Sequence, residues 1–188
     1  MNKNINIVIV GVGGQGILLA SKILGKLAIK NNLDVKVSEV HGMAQRGGSV
    51  ITHVRIGQNI FTPMVAEGTA DYIVSLELLE TVRAIHFLKD DGIVITSIEK
   101  IDPTPVKIGK VSYPENPLEN IKNANIIEIE APKLAIEAGN KKSVNVVLLG
   151  ALSKYLPFST EEWLLAIEES VRPYTFEINK KAFLLGKN

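Results

Sequence analysis

Two glycine-rich runs concentrate the residues whose types and spacing can do chemistry. The first is Gly11-Val12-Gly13-Gly14-Gln15-Gly16, between a strand-like apolar run and a helical period. Glycines let backbone N–H groups approach an anion, and a helix opening there adds its partial positive charge. The run therefore suits a phosphate or carboxylate, in the strand-then-helix context of a dinucleotide fingerprint. A tight turn with no ligand satisfies the same spacing. The second run extends from Glu39 through Gly42, Gln45, Arg46, Gly47 and Gly48 to Ser49. Arg46 beside two glycines offers a planar cation next to free backbone N–H groups, which again suits an anion. Glu39 stands near the place of a fingerprint acid, somewhat beyond the usual spacing of about 20 residues. The candidate ligand- or partner-binding residues are Gly11, Gly13, Gly14, Gln15, Gly16, Glu39, Gly42, Gln45, Arg46, Gly47 and Gly48. None is assigned a catalytic role.

Other groups carry less. His41 and His53 read as structural or solvated, and Arg55 as an outward strand residue. Glu128 and Glu130 have no acid–base partner and read as solvent-facing. Asp91-Gly92, with Asn116 downstream, lacks the leading glycine and paired asparagines of a thiamine diphosphate–magnesium motif and reads as a turn. No Ser-His-Asp order, kinase motif or Walker loop is present.

The elements that must position the two runs follow from periodicity. Ile5–Val10 is a buried strand. From Gly14 to Lys30 the period is helical, with Lys22, Lys26 and Lys30 wet and Ile17, Ala20, Leu24, Leu27 and Ala28 dry. Val35–Glu39 is a second strand, after which residues 41–48 form a loop rather than a crossover helix. A mononucleotide-binding half needs βαβαβ, and only the first βαβ is present, which weakens a nicotinamide or flavin reading. Ser49–Ile56 alternates as a half-exposed strand, Gly57-Gln58-Asn59 is a hairpin turn, and Ile60-Phe61 starts the return. Strands at 71–76, 93–97 and 126–130 follow, with a helix at 77–88 and a turn at Asp90-Asp91-Gly92. Four of the eight prolines fall between residues 102 and 118, read as an irregular connection with a small hairpin around Gly109. Helices follow at 131–138, 144–155, from a Ser159/Glu162 capping box to about Val171, and at 175–185. Trp163, Phe176 and Phe183 read as core or interface. The fold class is α/β: a three-layer sandwich with a Rossmann-like start, a mixed sheet and an inserted hairpin. The 188 residues are expected to form a single domain.

Composition removes several alternatives. The chain has 21 Lys+Arg against 20 Asp+Glu, a formal charge of +1. The two signs are spread evenly, so no basic patch argues for nucleic acid. With no cysteine, the chain offers no disulfide, thiolate zinc site, cysteine nucleophile or cysteine-ligated iron–sulfur cluster. No apolar stretch reaches the ~20 residues of a membrane helix, and none reads as a signal peptide, so the cytoplasm is the expected location.

The ordered combination of both runs resembles a known family. Gly11 to Ile17, Glu39, Gly42 to Gly48, Arg55, Ala70-Asp71, Asn145–Gly150 and Asn179–Gly186 are similar to the gamma-type subunit or domain of 2-oxoacid:ferredoxin oxidoreductases, over essentially the whole chain. The stretch from Ser38 to Gly48 looks most like the small (beta) subunit of the indolepyruvate-specific branch. The resemblance implies an accessory subunit, inactive alone. The complex decarboxylates a 2-oxoacid on thiamine diphosphate, passes electrons through iron–sulfur clusters to ferredoxin, and forms an acyl-CoA from coenzyme A. Thiamine diphosphate, magnesium and the clusters are then expected on a large partner subunit and none on this chain alone. Ferredoxin is met through the complex, and the isolated chain is expected to self-associate. Pyruvate or a branched-chain 2-oxoacid is an alternative substrate, and an autonomous Rossmann-like nucleotide-binding protein an alternative function.

Overall fold

The computed structural model describes residues 4–42, 47–122 and 124–188. A six-stranded sheet organises it, in the order β2-β3-β1-β4-β5-β6. β1 (Ile5–Val12) is buried almost throughout, as expected for an Ile/Val run covered on both faces. It leads through the first glycine run into α1 (Ile17–Lys30) and then β2 (Asp34–His41) at the sheet edge. β3 (Ser49–Gly57) slots antiparallel between β2 and β1. β4 (Ala70–Ser75), β5 (Leu88–Ser97) and β6 (Asn125–Ile129) extend the other side in parallel.

This topology gathers the loops. β2 and β1 each run opposite to β3, so they are parallel to each other. The carboxyl ends of β1, β2, β4, β5 and β6 and the amino end of β3 therefore share one margin of the sheet. In open α/β sheets that margin is where ligands bind.

The helices are α1, α2 (Leu78–Ala84), a four-residue α3 (Thr104–Lys107), α4 (Ala131–Ala138), α5 (Val144–Leu152), α6 (Thr160–Glu168) and α7 (Phe176–Lys187). α1 and α4–α7 build the larger core against Ile7, Ile9, Val54, Ile56, Val74 and Ile95. α2 and its neighbourhood cover the other face, over Val8, Val10, Ile73 and Val94. All nine residues of α5 are buried, which its all-round apolar sequence requires. The capping box forms as read, with Ser159 Oγ accepting from the Glu162 N–H at 3.2 Å and Glu162 Oε2 from the Ser159 N–H at 2.6 Å.

Several readings are corrected. No strand returns from the turn at Gly57-Gln58-Asn59: both edges of β3 are already paired, so Ile60 is buried instead as part of an irregular connection. The inserted hairpin is β2–β3. β3 is mostly buried rather than half-exposed, and His53 within it takes the structural of its two readings, with its ring edge-on to Phe87 at 5.2 Å and Nδ1 accepting from the Val65 N–H at 3.4 Å. The helix at 77–88 ends at Ala84, and Leu88 already belongs to β5, which carries Asp90–Gly92 within it as a register shift rather than a turn. Around Gly109 the chain forms α3 rather than a hairpin, because Pro105 presets a first helical turn that Gly109, at φ +71°, follows.

Candidate anion-binding site

The glycine run makes its turn with positive φ at Gly14 (+104°) and Gly16 (+84°), the latter directly preceding α1. Among the described residues nothing accepts from the backbone N–H groups of Gly14, Gly16, Ile17 or Leu18. They are the donors that a helix start leaves for an anion. Among the described residues, a Cβ built on Gly14 meets nothing within 4 Å, so open space lies before the loop. It belongs to a cavity of about 420 Å³ lined by Gly13, Gly14, Gly16, Ile17, Leu18, Glu39, His41 and Val50.

The far wall supplies different chemistry. Glu39 and His41 stand at the end of β2, with Glu39 Oε1 3.4 Å from His41 Nδ1. The other Glu39 oxygen is buried, with no hydrogen-bond partner among the described residues. A carboxylate in that position accepts from hydroxyl groups, as the fingerprint acid does for a ribose. Leu18 and Val50 give the cavity an apolar side. The arrangement fits a ligand with an anionic group, hydroxyl donors and an apolar portion.

The second run is tied to the first. The Gly13 N–H donates to the Gly48 carbonyl at 2.8 Å, and the Gly47 N–H to the Gly13 carbonyl at 3.4 Å. A Cβ built on Gly42, which follows β2, would meet nothing within 4 Å among the described residues. Gln45 and Arg46 lie outside the described residues. Gly11 is buried within β1 and does not line the cavity. The Gln15 side chain turns away from the cavity: its Oε1 accepts from the Val12 N–H at 2.7 Å, and its Nε2 donates to the Leu76 carbonyl and to Glu99 Oε2, each at 3.0 Å.

Several groups that support the loop and its surroundings went unread in the sequence. Asn145, at the start of the buried α5, donates from Nδ2 to the Gly16 carbonyl at 2.8 Å. Glu99 holds Gln15; burial pushes its carboxyl above the usual range, Gln15's hydrogen bond opposes the rise, and nearby Glu77 adds to it. Glu77 is itself buried, accepting from the Glu80 N–H at 2.9 Å, the Ile101 N–H at 3.2 Å and the Tyr113 hydroxyl. Burial and the bond to Glu77 hold the Tyr113 phenol well above its ordinary range. Glu80 accepts from Ser49 Oγ at the start of β3 and from Arg83 at 2.6 Å. Asn145–Gly16, Glu99–Gln15, Tyr113–Glu77 and Ser49–Glu80 are separated by 129, 84, 36 and 31 residues, so spacing gave no signal; Asn145 stood only within a family-like stretch.

The residues do not fit an iron–sulfur cluster, since the chain has no thiolate to ligate one. Among the described residues no three His, Asp or Glu side chains converge as a metal would require. No described helix is long and apolar enough to cross a membrane.

The model of the pyruvate ferredoxin/flavodoxin oxidoreductase family matches residues 6–188. The chain belongs to that family. The indolepyruvate oxidoreductase subunit IorB of Pyrococcus horikoshii is 47% identical to it over 98% of this chain and 95% of that one. The fold is that of pyruvate oxidoreductase subunit PORC from Thermotoga maritima, with a TM-score of 0.74, 22% identity and coverage of 98% and 95%. It also superposes on part of the 2-oxoglutarate:ferredoxin oxidoreductase of Magnetococcus marinus, with a TM-score of 0.75 and 19% identity over all of this chain and 31% of that one. The gamma-type resemblance read from the two glycine runs is thus borne out at the level of family and fold.

Proposed function

We propose that this chain is the accessory subunit of a 2-oxoacid:ferredoxin oxidoreductase acting on indolepyruvate and related aryl pyruvates. The observation that carries the reading is the joining of both glycine runs around one cavity, in a chain 47% identical to a protein named as an indolepyruvate oxidoreductase subunit. A large partner would hold thiamine diphosphate, magnesium and the clusters, which would supply the decarboxylation and electron-transfer chemistry. This chain's share is binding. The N–H groups of Gly14, Gly16, Ile17 and Leu18, at the start of α1, would hold phosphate oxygens of coenzyme A, and Glu39 a hydroxyl. Arg46 would add charge from the second run. The exposed face would dock on the partner.

The test is a tagged pull-down from anaerobic extract, with the eluate assayed for indolepyruvate- and CoA-dependent reduction of ferredoxin. A brown eluate with a large cysteine-rich partner and that activity is the expected result. Activity with pyruvate or a branched-chain 2-oxoacid alone would keep the architecture and change the substrate. A colourless chain, recovered alone and binding a nucleotide, would replace the reading with an autonomous nucleotide-binding protein. β2 is followed by the antiparallel β3, with no crossover helix among the described residues, which argues against that outcome.

A further inference from the structure

We infer that Gln15 is a positioning residue and that Glu99 is the post that holds it, the pair setting the backbone of the glycine loop on which the proposed function rests. An amide has one accepting oxygen and two donating hydrogens. Here all three are used, toward the Val12 N–H, the Leu76 carbonyl and Glu99 Oε2. The polarity is fixed: a flipped amide would set NH₂ against an N–H, and oxygen against two acceptors. Gly11 belongs to the same device, because a Cβ there would lie 2.7 Å from Gln15 Oε1. The glycine at 11 makes room for the glutamine at 15.

Glu99 can serve as a post because its own backbone is pinned. Its N–H donates to Ser97 Oγ at 3.1 Å, and its carbonyl accepts from the Leu78 N–H at 3.0 Å. Ile98 is tied to Ile129 at 3.1 Å. The loop that faces the cavity is thus braced from behind, against the ends of β4 and β5. The titratable group facing Glu99 is Glu77, itself bonded to Tyr113. A carboxylate placed beside another and half removed from water needs its donor, and Gln15 is that donor.

The test exploits polarity. Gln15→Glu keeps the shape but directs an oxygen at two acceptors. Amide hydrogen exchange at Val12, Gly13, Gln15 and Leu19, the hydrogen-bonded amides of the span 12–19, should quicken about tenfold or more in the isolated chain. The effect should ease as pH falls toward 5, when a protonated carboxyl restores a donor. Glu99→Gln alone keeps an acceptor and should change exchange little. The double variant reverses the bond, the introduced amide donating to the introduced carboxylate, and should recover most of the protection. Gln15→Met, equal in length and unable to hydrogen-bond, should quicken exchange at the same amides alone. Protection unchanged in Gln15→Glu and Gln15→Met, or identical in Gln15→Glu and the double variant at every pH, would overturn the inference. In the assembled complex the same series should raise KM for coenzyme A and leave kcat in place. Altered exchange with an unaltered KM would uphold the brace and count against coenzyme A as the loop's ligand, so the two readings fail separately.

Discussion

Gly14 and Gly16 both take positive φ, yet they face different surroundings, and their substitutions should separate. A Cβ at Gly16 would lie 2.6 Å from Asn145 Nδ2, displacing the side chain that holds the loop carbonyl. Left-handed strain of about 1–2 kcal/mol then adds to a lost buried hydrogen bond. Gly16→Ala should lower the thermal midpoint by several degrees more than Gly14→Ala, whose Cβ enters open space. Gly14→Ala should instead act on the complex, filling the cavity mouth and weakening coenzyme A saturation with the fold retained; unchanged saturation would remove the loop from the mechanism. A second residue-scale prediction concerns pH. Burial lowers the pKa of His53 below 6.5, so the unfolded chain takes up a proton first. Stability from this residue is full above pH 6.5 and is lost as pH falls through its folded-state value. Glu99 has the opposite sign: its pKa is raised above 4.5, so its contribution falls as pH rises from there. Denaturation midpoints measured from pH 4.5 to 8 should show a flatter acid limb for His53→Gln than for the native chain. An equal acid limb would mean that His53 keeps its proton in the fold. The glycines were legible from spacing, since a strand–turn–helix junction demands them. The direction of the Gln15 side chain was not, because its partners lie 61 and 84 residues away.

At the scale of elements, the contact between α5 and α7 depends on two glycines facing opposite helices. A Cβ at Gly150 would enter the carbonyl oxygen of Phe183 and lie 2.9 Å from the Lys187 nitrogen; one at Gly186 would enter the Val147 carbonyl. Replacing a helical glycine by alanine ordinarily gains about 1 kcal/mol of propensity. Overpacking of a close contact costs about 1–3 kcal/mol or more, and here the obstacle is backbone, which cannot rotate away. Gly150→Ala should therefore destabilise the chain in urea, while Gly25→Ala, in α1 with nothing within 4 Å of its Cβ, should stabilise it. The same sign for both would mean that the helix pair separates at little cost. The helices themselves were readable from their apolar stripes and caps, several to within a few residues. Their ends were less so: α5 stops at Leu152 rather than Tyr155, and α6 at Glu168 rather than Val171. Those last turns are held by short-range bonds that periodicity does not distinguish from helix.

At the scale of the molecule, the alternation of strands and helices announced α/β, but strand order was hidden. The turn after β3 carries the chemistry of a hairpin, with Asn59 at φ +57°, yet the chain has nowhere to return, because β1 and β2 already hold both sides of β3. Placing β3 inside leaves β2 as the edge, eight residues long, with Val37 and Val40 exposed at 44% and 49%. Leu18 at the cavity mouth is 66% exposed and Ile29 on the same helix 65%. An open edge strand with apolar side chains is a template for another chain unless it is covered or charged. In the proposed complex a partner would cover it; alone, the chain should pair with itself. Sedimentation of the isolated chain across a hundredfold range of concentration should show reversible association, and Val40→Lys should suppress it by placing a charge on that edge. The substitution removes no core contact, so the thermal midpoint of the dilute chain should hold. If the edge also meets the partner, Val40→Lys should weaken assembly in the pull-down; self-association lost with assembly intact would place the docking surface elsewhere. A native chain that stays monomeric throughout would show that Lys36 and Asp34, both exposed on the same strand, already guard it.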